Sequence, residues 1–139
     1  MILSKWQLLI IIFNFSNHIK MKNTFVYWTF LSKELIDIQI EIESLFDNLN
    51  LQRDYENNWE WLEGKTEDNI YDLNVSRKYN WKKGEYDKEL VIIIKTDNQL
   101  NIDEFGVSLS TKLGSTIYYG FRNFSSGTEY DFEIIGEYK

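Results

Sequence analysis

Apolar and polar residues alternate most clearly over residues 54–78, in two runs on either side of a polar turn at residues 64–69. Successive side chains of a strand point to opposite faces, so this alternation predicts an antiparallel hairpin. The residues predicted to face the core are Tyr55, Trp59, Trp61, Tyr71, Leu73 and Val75. The residues predicted to face outward are Asp54, Glu56, Glu60, Asp72, Asn74, Ser76 and Lys78. The pattern therefore predicts a hairpin with a buried aromatic face and an acidic outer face.

The chain before this hairpin predicts a central strand and a helix. Residues 24–31 are apolar on both faces, as in a central strand that is covered from both sides, or that has helices on one side and aromatic residues on the other. In residues 32–50 the isoleucines alternate with polar residues, which is a strand pattern, but a longer apolar stripe follows helical steps of three and four. That stripe consists of Leu35, Ile38, Ile42, Leu45, Phe46 and Leu49. Because the helical set extends further, we expect a helix.

The chain after the hairpin predicts a buried strand, a helix and two closing strands. Residues 90–94 form a continuous apolar run. Asn101 and Glu104 have the spacing of a capping box, and Gly114 is a natural helix terminator. Residues 116–121 and 130–138 predict two strands around a turn at residues 125–127. The predicted order is β-α-β-β-β-α-β-β, an α+β two-layer sandwich with two helices on one face of a mainly antiparallel sheet.

The first twenty residues differ from the rest of the chain. Their apolar run, residues 6–15, is too short to span a bilayer, and no small-x-small cleavage site follows it. We interpret residues 1–20 as an extension upstream of a true start at Met21, or as an uncleaved export signal. We expect a single domain over residues 21–139, no stable membrane insertion, and a cytoplasmic protein.

The net charge of −7 argues against a nucleic-acid partner. A nucleic-acid-binding protein needs basic side chains that displace counterions from phosphates, and here acidic residues outnumber basic ones. An acidic surface favours solubility or attraction to a basic protein. We therefore expect no nucleic-acid partner.

The chain lacks the side chains that several common catalytic mechanisms require. The chain has no cysteine, and its one histidine, His18, lies in the atypical N-terminal segment. This composition excludes cysteine-ligated zinc, a cysteine dyad and, for the domain, a serine triad. No glycine-rich phosphate loop is present, and we expect no cofactor.

Carboxylate chemistry stays open at this stage. On one continuous strand Glu56 and Glu60 would lie roughly 13 Å apart, which is beyond the spacing of a glycosidase pair. Glu60 could instead approach Asp72 across the hairpin, and Asp54, Glu56 and Asp72 could form a hard-metal site, although no loop motif supports one.

Two other residues near the hairpin have predicted positions. Arg77 could pair with Glu60 or Asp54 across the sheet. Trp81 follows the hairpin in a polar loop, so we expect its indole to be exposed.

Three short strings resemble a known class of protein. They are YENNWEWLEG at residues 55–64, NVSR at residues 74–77 and YYG at residues 118–120. The chain resembles the small acidic bacterial immunity proteins that accompany polymorphic or contact-dependent toxins. The resemblance implies a non-catalytic protein that neutralises a toxin by direct binding.

The acidic face of the hairpin would then meet a basic toxin domain. The residues predicted to bind the partner are Asp54, Glu56, Glu60, Asp72 and Trp81. The alternatives are a small carboxylate-based enzyme or ligand-binding domain, and a structural or scaffold domain.

Overall fold

A computed structural model describes residues 23–124 and 130–139, and for residues 122–124 and 130–132 it describes the backbone alone. The strands are β1 (Asn23–Phe30), β2 (Gln52–Glu56), β3 (Trp59–Lys65), β4 (Tyr71–Asn80), β5 (Glu85–Tyr86), β6 (Glu89–Thr96), β7 (Ile117–Phe124) and β8 (Tyr130–Tyr138). The helices are α1 (Leu35–Glu43) and α2 (Ile102–Leu113). The atypical segment at residues 1–20 and the predicted turn at residues 125–127 lie outside the described residues.

The strands form one antiparallel sheet in the order β2-β3-β4-β6-β1-β7-β8, with the short β5 paired to β4. Helix α1 packs on β3, α2 packs on β7 and β8, and the two helices contact each other. We call the helix-covered side of the sheet the inner face and the opposite side the outer face. The prediction of an α+β two-layer sandwich is confirmed.

The sequence signals for both helices are visible in the structure. In α2 the Asn101 side chain accepts a hydrogen bond from the Glu104 backbone N–H at 3.1 Å, and Gly114 closes the helix at a φ of 67°. In α1 the stripe residues Leu35, Ile38 and Ile42 are buried, as a helix requires. Both helices thus present one apolar side to the inner face.

Helix α1 ends earlier than predicted, at Glu43. Side chains near its C-terminus form hydrogen bonds with the backbone of Leu51, just before β2. The Glu43 carboxylate accepts the Leu51 N–H at 2.8 Å, and the Gln39 amide donates to the Leu51 carbonyl at 2.7 Å. These side-chain bonds turn the backbone toward β2, so the rest of the predicted helix forms turns instead.

The first predicted strand of the hairpin is in fact two strands, β2 and β3. Asn57 and Asn58 connect them, and Asn57 takes the left-handed conformation at a φ of 56° that asparagine tolerates better than most residues. The predicted turn at residues 64–69 also begins too early, because Gly64 belongs to β3. A Cβ on Gly64 would lie 2.1 Å from the Asn50 carbonyl oxygen, so glycine allows this close backbone approach.

The prediction of which β3 side chains face the core is wrong. Glu60 is 1% exposed on the inner face, beside the fully buried Leu62. Trp59 and Trp61 lie on the outer face and are half-buried. The assignment for β4 is correct, since Leu73 and Val75 are buried.

Neither helix in the described parts of the chain is long and apolar enough to cross a membrane.

Candidate functional site

The five residues predicted to bind a partner do not share one face. Asp54 and Glu56 are exposed on β2, opposite Trp61 and Trp59 respectively, and so belong to the outer face. Asp72 also lies on the outer face, in β4. Glu60 is on the inner face, which makes its assignment to the acidic face wrong.

Trp81, the fifth predicted residue, lies in the turn between β4 and β5. Its indole is 41% exposed, as predicted. The structure therefore divides the predicted residues into an outer-face group, a buried residue and an exposed ring.

The outer-face group surrounds a pair of indoles. We name this surface the tryptophan face; it consists of Asp54, Glu56, Trp59, Trp61, Glu63, Asn74 and Ser76. Strand register positions it, because Trp61 lies between Asp54 on β2 and Ser76 on β4. Trp59 and Trp61 are partly buried, and no helix in the described residues packs on this face.

A shallow pocket of about 280 Å³ lies at the centre of the tryptophan face. Its lining residues are Glu56, Asn57, Trp59, Trp61, Asn74 and Ser76. The indole N–H of Trp61 donates to the Glu63 carboxylate, which fixes the orientation of that ring. The pocket therefore offers two aromatic rings, one carboxylate and several amide and hydroxyl groups.

The acidic charge of the outer face is concentrated near β2. Asp54 and Glu56 lie on this edge strand, and Glu63 lies on the neighbouring β3. Asp72 differs from them, because its register partners are Lys65 on one side and Lys95 on the other. We expect those lysines to offset the Asp72 charge. Lys78, opposite Trp59 on β4, offsets part of the negative charge of Asp54, Glu56 and Glu63.

Glu60 forms the centre of a buried charge cluster. Its carboxylate accepts a hydrogen bond from Arg77 Nε at 2.6 Å and another from Arg53 Nη2 at 2.9 Å. Arg77 also donates to the Lys33 carbonyl at 2.7 Å, and its guanidinium lies 3.5 Å from the centroid of the Tyr86 ring. The predicted pairing of Arg77 with Glu60 is confirmed, and it places Glu60 out of reach of a partner.

Among the described residues, neither of the two carboxylate pairs considered from the sequence has its predicted arrangement. Glu60 and Asp72 lie on opposite faces of the sheet, so their predicted approach across the hairpin is wrong. Glu56 and Glu60 lie on different strands, so the separation predicted for them on one continuous strand is also wrong. Within residues 23–124 and 130–139, no three histidine, cysteine, aspartate or glutamate side chains are grouped closely enough to hold a metal ion.

Trp81 belongs to an exposed aromatic cluster on the other side of β2. Its ring centroid is 4.3 Å from that of Tyr79 and 4.7 Å from that of Tyr55. The Asn80 side chain accepts the backbone N–H groups of Lys82 and Lys83, both at 3.1 Å, and so orders this turn. A cleft of about 800 Å³ adjoins Trp81 and Tyr79, and Asn57 lines both this cleft and the smaller pocket.

Sequence reasoning missed Tyr55 as a surface residue. It was predicted to face the core, but it is 59% exposed. Tyr55 does point to the inner side, opposite Glu60, but β2 is the edge strand and all five of its residues are exposed. The Asn57-Asn58 pair was the signal for an edge hairpin, because asparagine is favoured in two-residue turns.

Comparison of the chain with protein-family models, with curated proteins and with solved structures found no match.

Proposed function

We propose that this protein is a non-catalytic binding protein that neutralises a basic bacterial toxin in the cytoplasm by direct contact. The observation that carries the proposal is the tryptophan face, where two partly buried indoles lie beside the exposed carboxylates of Asp54 and Glu56. Tryptophan is enriched among the residues that dominate protein–protein binding energy. A partner that covers this face would bury both rings.

The charge of the chain supports a basic partner. The net charge is −7, and the tryptophan face carries Asp54, Glu56 and Glu63. Opposite charges across an interface speed association and are screened by salt. The acidic residues would steer the partner, and the indoles would supply contact area once it has docked.

The proposal is tested in two stages. The tagged protein first captures its partner from the source bacterium, and the captured protein is then purified and assayed for toxicity with and without one equivalent of this chain. We expect stoichiometric inhibition. Retention of a metabolite alone, or a partner whose activity is unchanged by the complex, would contradict a toxin-neutralising role.

Association kinetics then test which surface binds. Glu56→Lys should slow association about tenfold at low salt, with less effect as salt rises. The matched control is Glu137→Lys, a reversal on β8 at the opposite edge of the sheet. If the two reversals slow association equally, the tryptophan face is not the binding surface.

A second candidate is a ligand-binding domain that uses the Trp81 cleft. The observation that favours it is the volume of about 800 Å³ beside Trp81 and Tyr79, which is large enough for a small molecule. Mass spectrometry of metabolites retained by the purified protein tests this candidate. Loss of the retained compound in Trp81→Ala, with normal unfolding, would support it over the toxin inhibitor.

A further inference from the structure

The pocket of the tryptophan face has a charge suited to one cation. Glu56 is the single charged residue among the six that line it. Its other polar groups, on Asn57, Asn74 and Ser76, include oxygen atoms that can accept hydrogen bonds. A bound side chain with one positive charge would therefore neutralise Glu56 and find further acceptors.

The rings of the pocket also favour a cation. The face of an indole carries negative electrostatic potential, and tryptophan is the best aromatic partner for ammonium and guanidinium groups. Trp59 and Trp61 occur two residues apart on β3, so their rings project from the same face about 7 Å apart at the backbone. Neither ring is covered by a helix in the described residues.

The protein already places a cation of its own next to this pocket. Lys78 is the register partner of Trp59 on β4, and its Nζ lies 5.9 Å from the centroid of the Trp59 ring. That distance is within the range of a cation–π contact. Among the described residues, no carboxylate is within salt-bridge distance of Lys78 Nζ. The Lys78 side chain is exposed, so a cation that binds more tightly can displace its ammonium from the ring.

We propose that this pocket binds an arginine side chain of the partner protein, and that Lys78 occupies the ring face until the partner displaces it. The inference rests on the proposed function, because it identifies what the partner presents. Arginine fits better than lysine because its planar guanidinium can stack on an indole and donate two parallel hydrogen bonds to the Glu56 carboxylate. Asn74 and Ser76 can accept from the remaining donors.

The test needs no captured partner. The full chain, with ¹⁵N-labelled tryptophan, is titrated with hexa-arginine, hexa-lysine and hexa-citrulline while the indole N–H resonances are recorded by NMR. Citrulline matches arginine in shape but lacks the charge. We expect hexa-arginine to shift the Trp59 and Trp61 resonances most, hexa-lysine less and hexa-citrulline little.

Matched variants locate the binding to the pocket. Glu56→Gln should weaken hexa-arginine binding about tenfold, since it removes a charge-assisted pair. Glu137→Gln removes the same charge at the far edge and should have little effect. Lys78→Gln and Lys65→Gln each remove one lysine of the outer face, but only Lys78 contacts an indole of the pocket. We therefore expect Lys78→Gln to tighten hexa-arginine binding several-fold more than Lys65→Gln does.

The outcomes separate this inference from the proposed function. Equal weakening by Glu56→Gln and Glu137→Gln, or shifts spread over all tryptophans, would show non-specific attraction and overturn the arginine pocket. Selective shifts with a captured partner that is no toxin would leave the pocket standing and overturn the toxin role. A captured toxin whose binding survives Trp59→Ala and Glu56→Gln together would refute the pocket alone.

Discussion

Strand β3 has two faces whose residues are arranged in the reverse of what hydropathy suggests. Its inner face buries the carboxylate of Glu60, whereas its outer face leaves Trp59 and Trp61 only partly buried. Glu60 is tolerated because Arg77 and Arg53 both donate to it, so its charge is paired and hydrogen-bonded. Hydrogen-bonding partners thus allow a carboxylate to be buried on the face that strand register turns toward the helices.

The largest expected effect comes from removing the buried carboxylate. Glu60→Ala leaves Arg77 charged and without its carboxylate inside the protein, and we expect it to lower the free energy of unfolding by about 3–5 kcal/mol. Urea denaturation measures the loss. Glu56→Ala, an exposed carboxylate on the adjacent strand, is the control and should change stability by less than about 0.5 kcal/mol. A similar small change for Glu60→Ala would show that the cluster does not stabilise the fold.

Replacing both buried partners sharpens the contrast. In Glu60→Leu with Arg77→Met, apolar side chains replace the ion pair, and such exchanges are often neutral or stabilising. We expect the double variant to recover about 2 kcal/mol or more relative to Glu60→Ala. A double variant that is less stable than Glu60→Ala would mean that the charges themselves, and not only their mutual pairing, are required at this position.

Removal of an outer-face indole should lower the free energy of unfolding by less than removal of a fully buried side chain does. Trp59→Ala would be expected to cost about 3–5 kcal/mol if the ring were in the core. Because Trp59 is half-buried and borders solvent, we expect about 1–2 kcal/mol instead. Thermal unfolding measures the change, and Leu62→Ala, fully buried on the other face of the same strand, is the control at about 2–5 kcal/mol. A larger loss for Trp59→Ala than for Leu62→Ala would reverse the comparison of the two faces.

The smallest effect on stability is expected for Glu56→Gln. Glu56 is exposed, and in our proposal it contributes to binding and not to the fold. The free energy of unfolding of the variant should therefore change by less than about 0.5 kcal/mol, while its affinity for hexa-arginine falls. Parallel urea denaturation and NMR titration of the same sample test this separation. A substantial loss of stability would assign Glu56 a structural role.

The sequence predicted the layers better than it predicted the faces. The caps of α2 and the buried run in β6 follow from local periodicity and local hydrogen bonding, and both were correct. The apolar stripe of α1 was correct for Leu35, Ile38 and Ile42 but not beyond the end of the helix at Glu43. The face of β3 depends on a turn that alternation alone does not reveal. When two antiparallel residues pair across a two-residue turn, as Tyr55 and Glu60 do, odd positions on one strand share a face with even positions on the next.

A second inversion, between β3 and β4, explains which site residues were misplaced. These strands pair Leu62 with Val75, so the odd-numbered Leu73 and Val75 share the inner face with the even-numbered Glu60, and Trp59 and Trp61 face outward. Hydropathy argued the opposite, because a carboxylate is rarely buried alone. The two arginines that pair with Glu60 come from different strands, and their approach could not be foreseen before the register was known.

The position of β1 has a consequence for the order of folding. β1 begins the described chain, yet it pairs with β6 and β7, which come from its second half, whereas β2, β3 and β4 pair with their neighbours in sequence. Closing long loops is entropically costly, so the local β2–β4 meander should form before the centre of the sheet. Pulse-labelled hydrogen exchange during refolding should protect amides of β3 and β4 before those of β1. During synthesis, Trp28 and its strand must wait for β6 and β7 to leave the ribosome, and until then an aromatic-rich strand lacks the strands that pair with it.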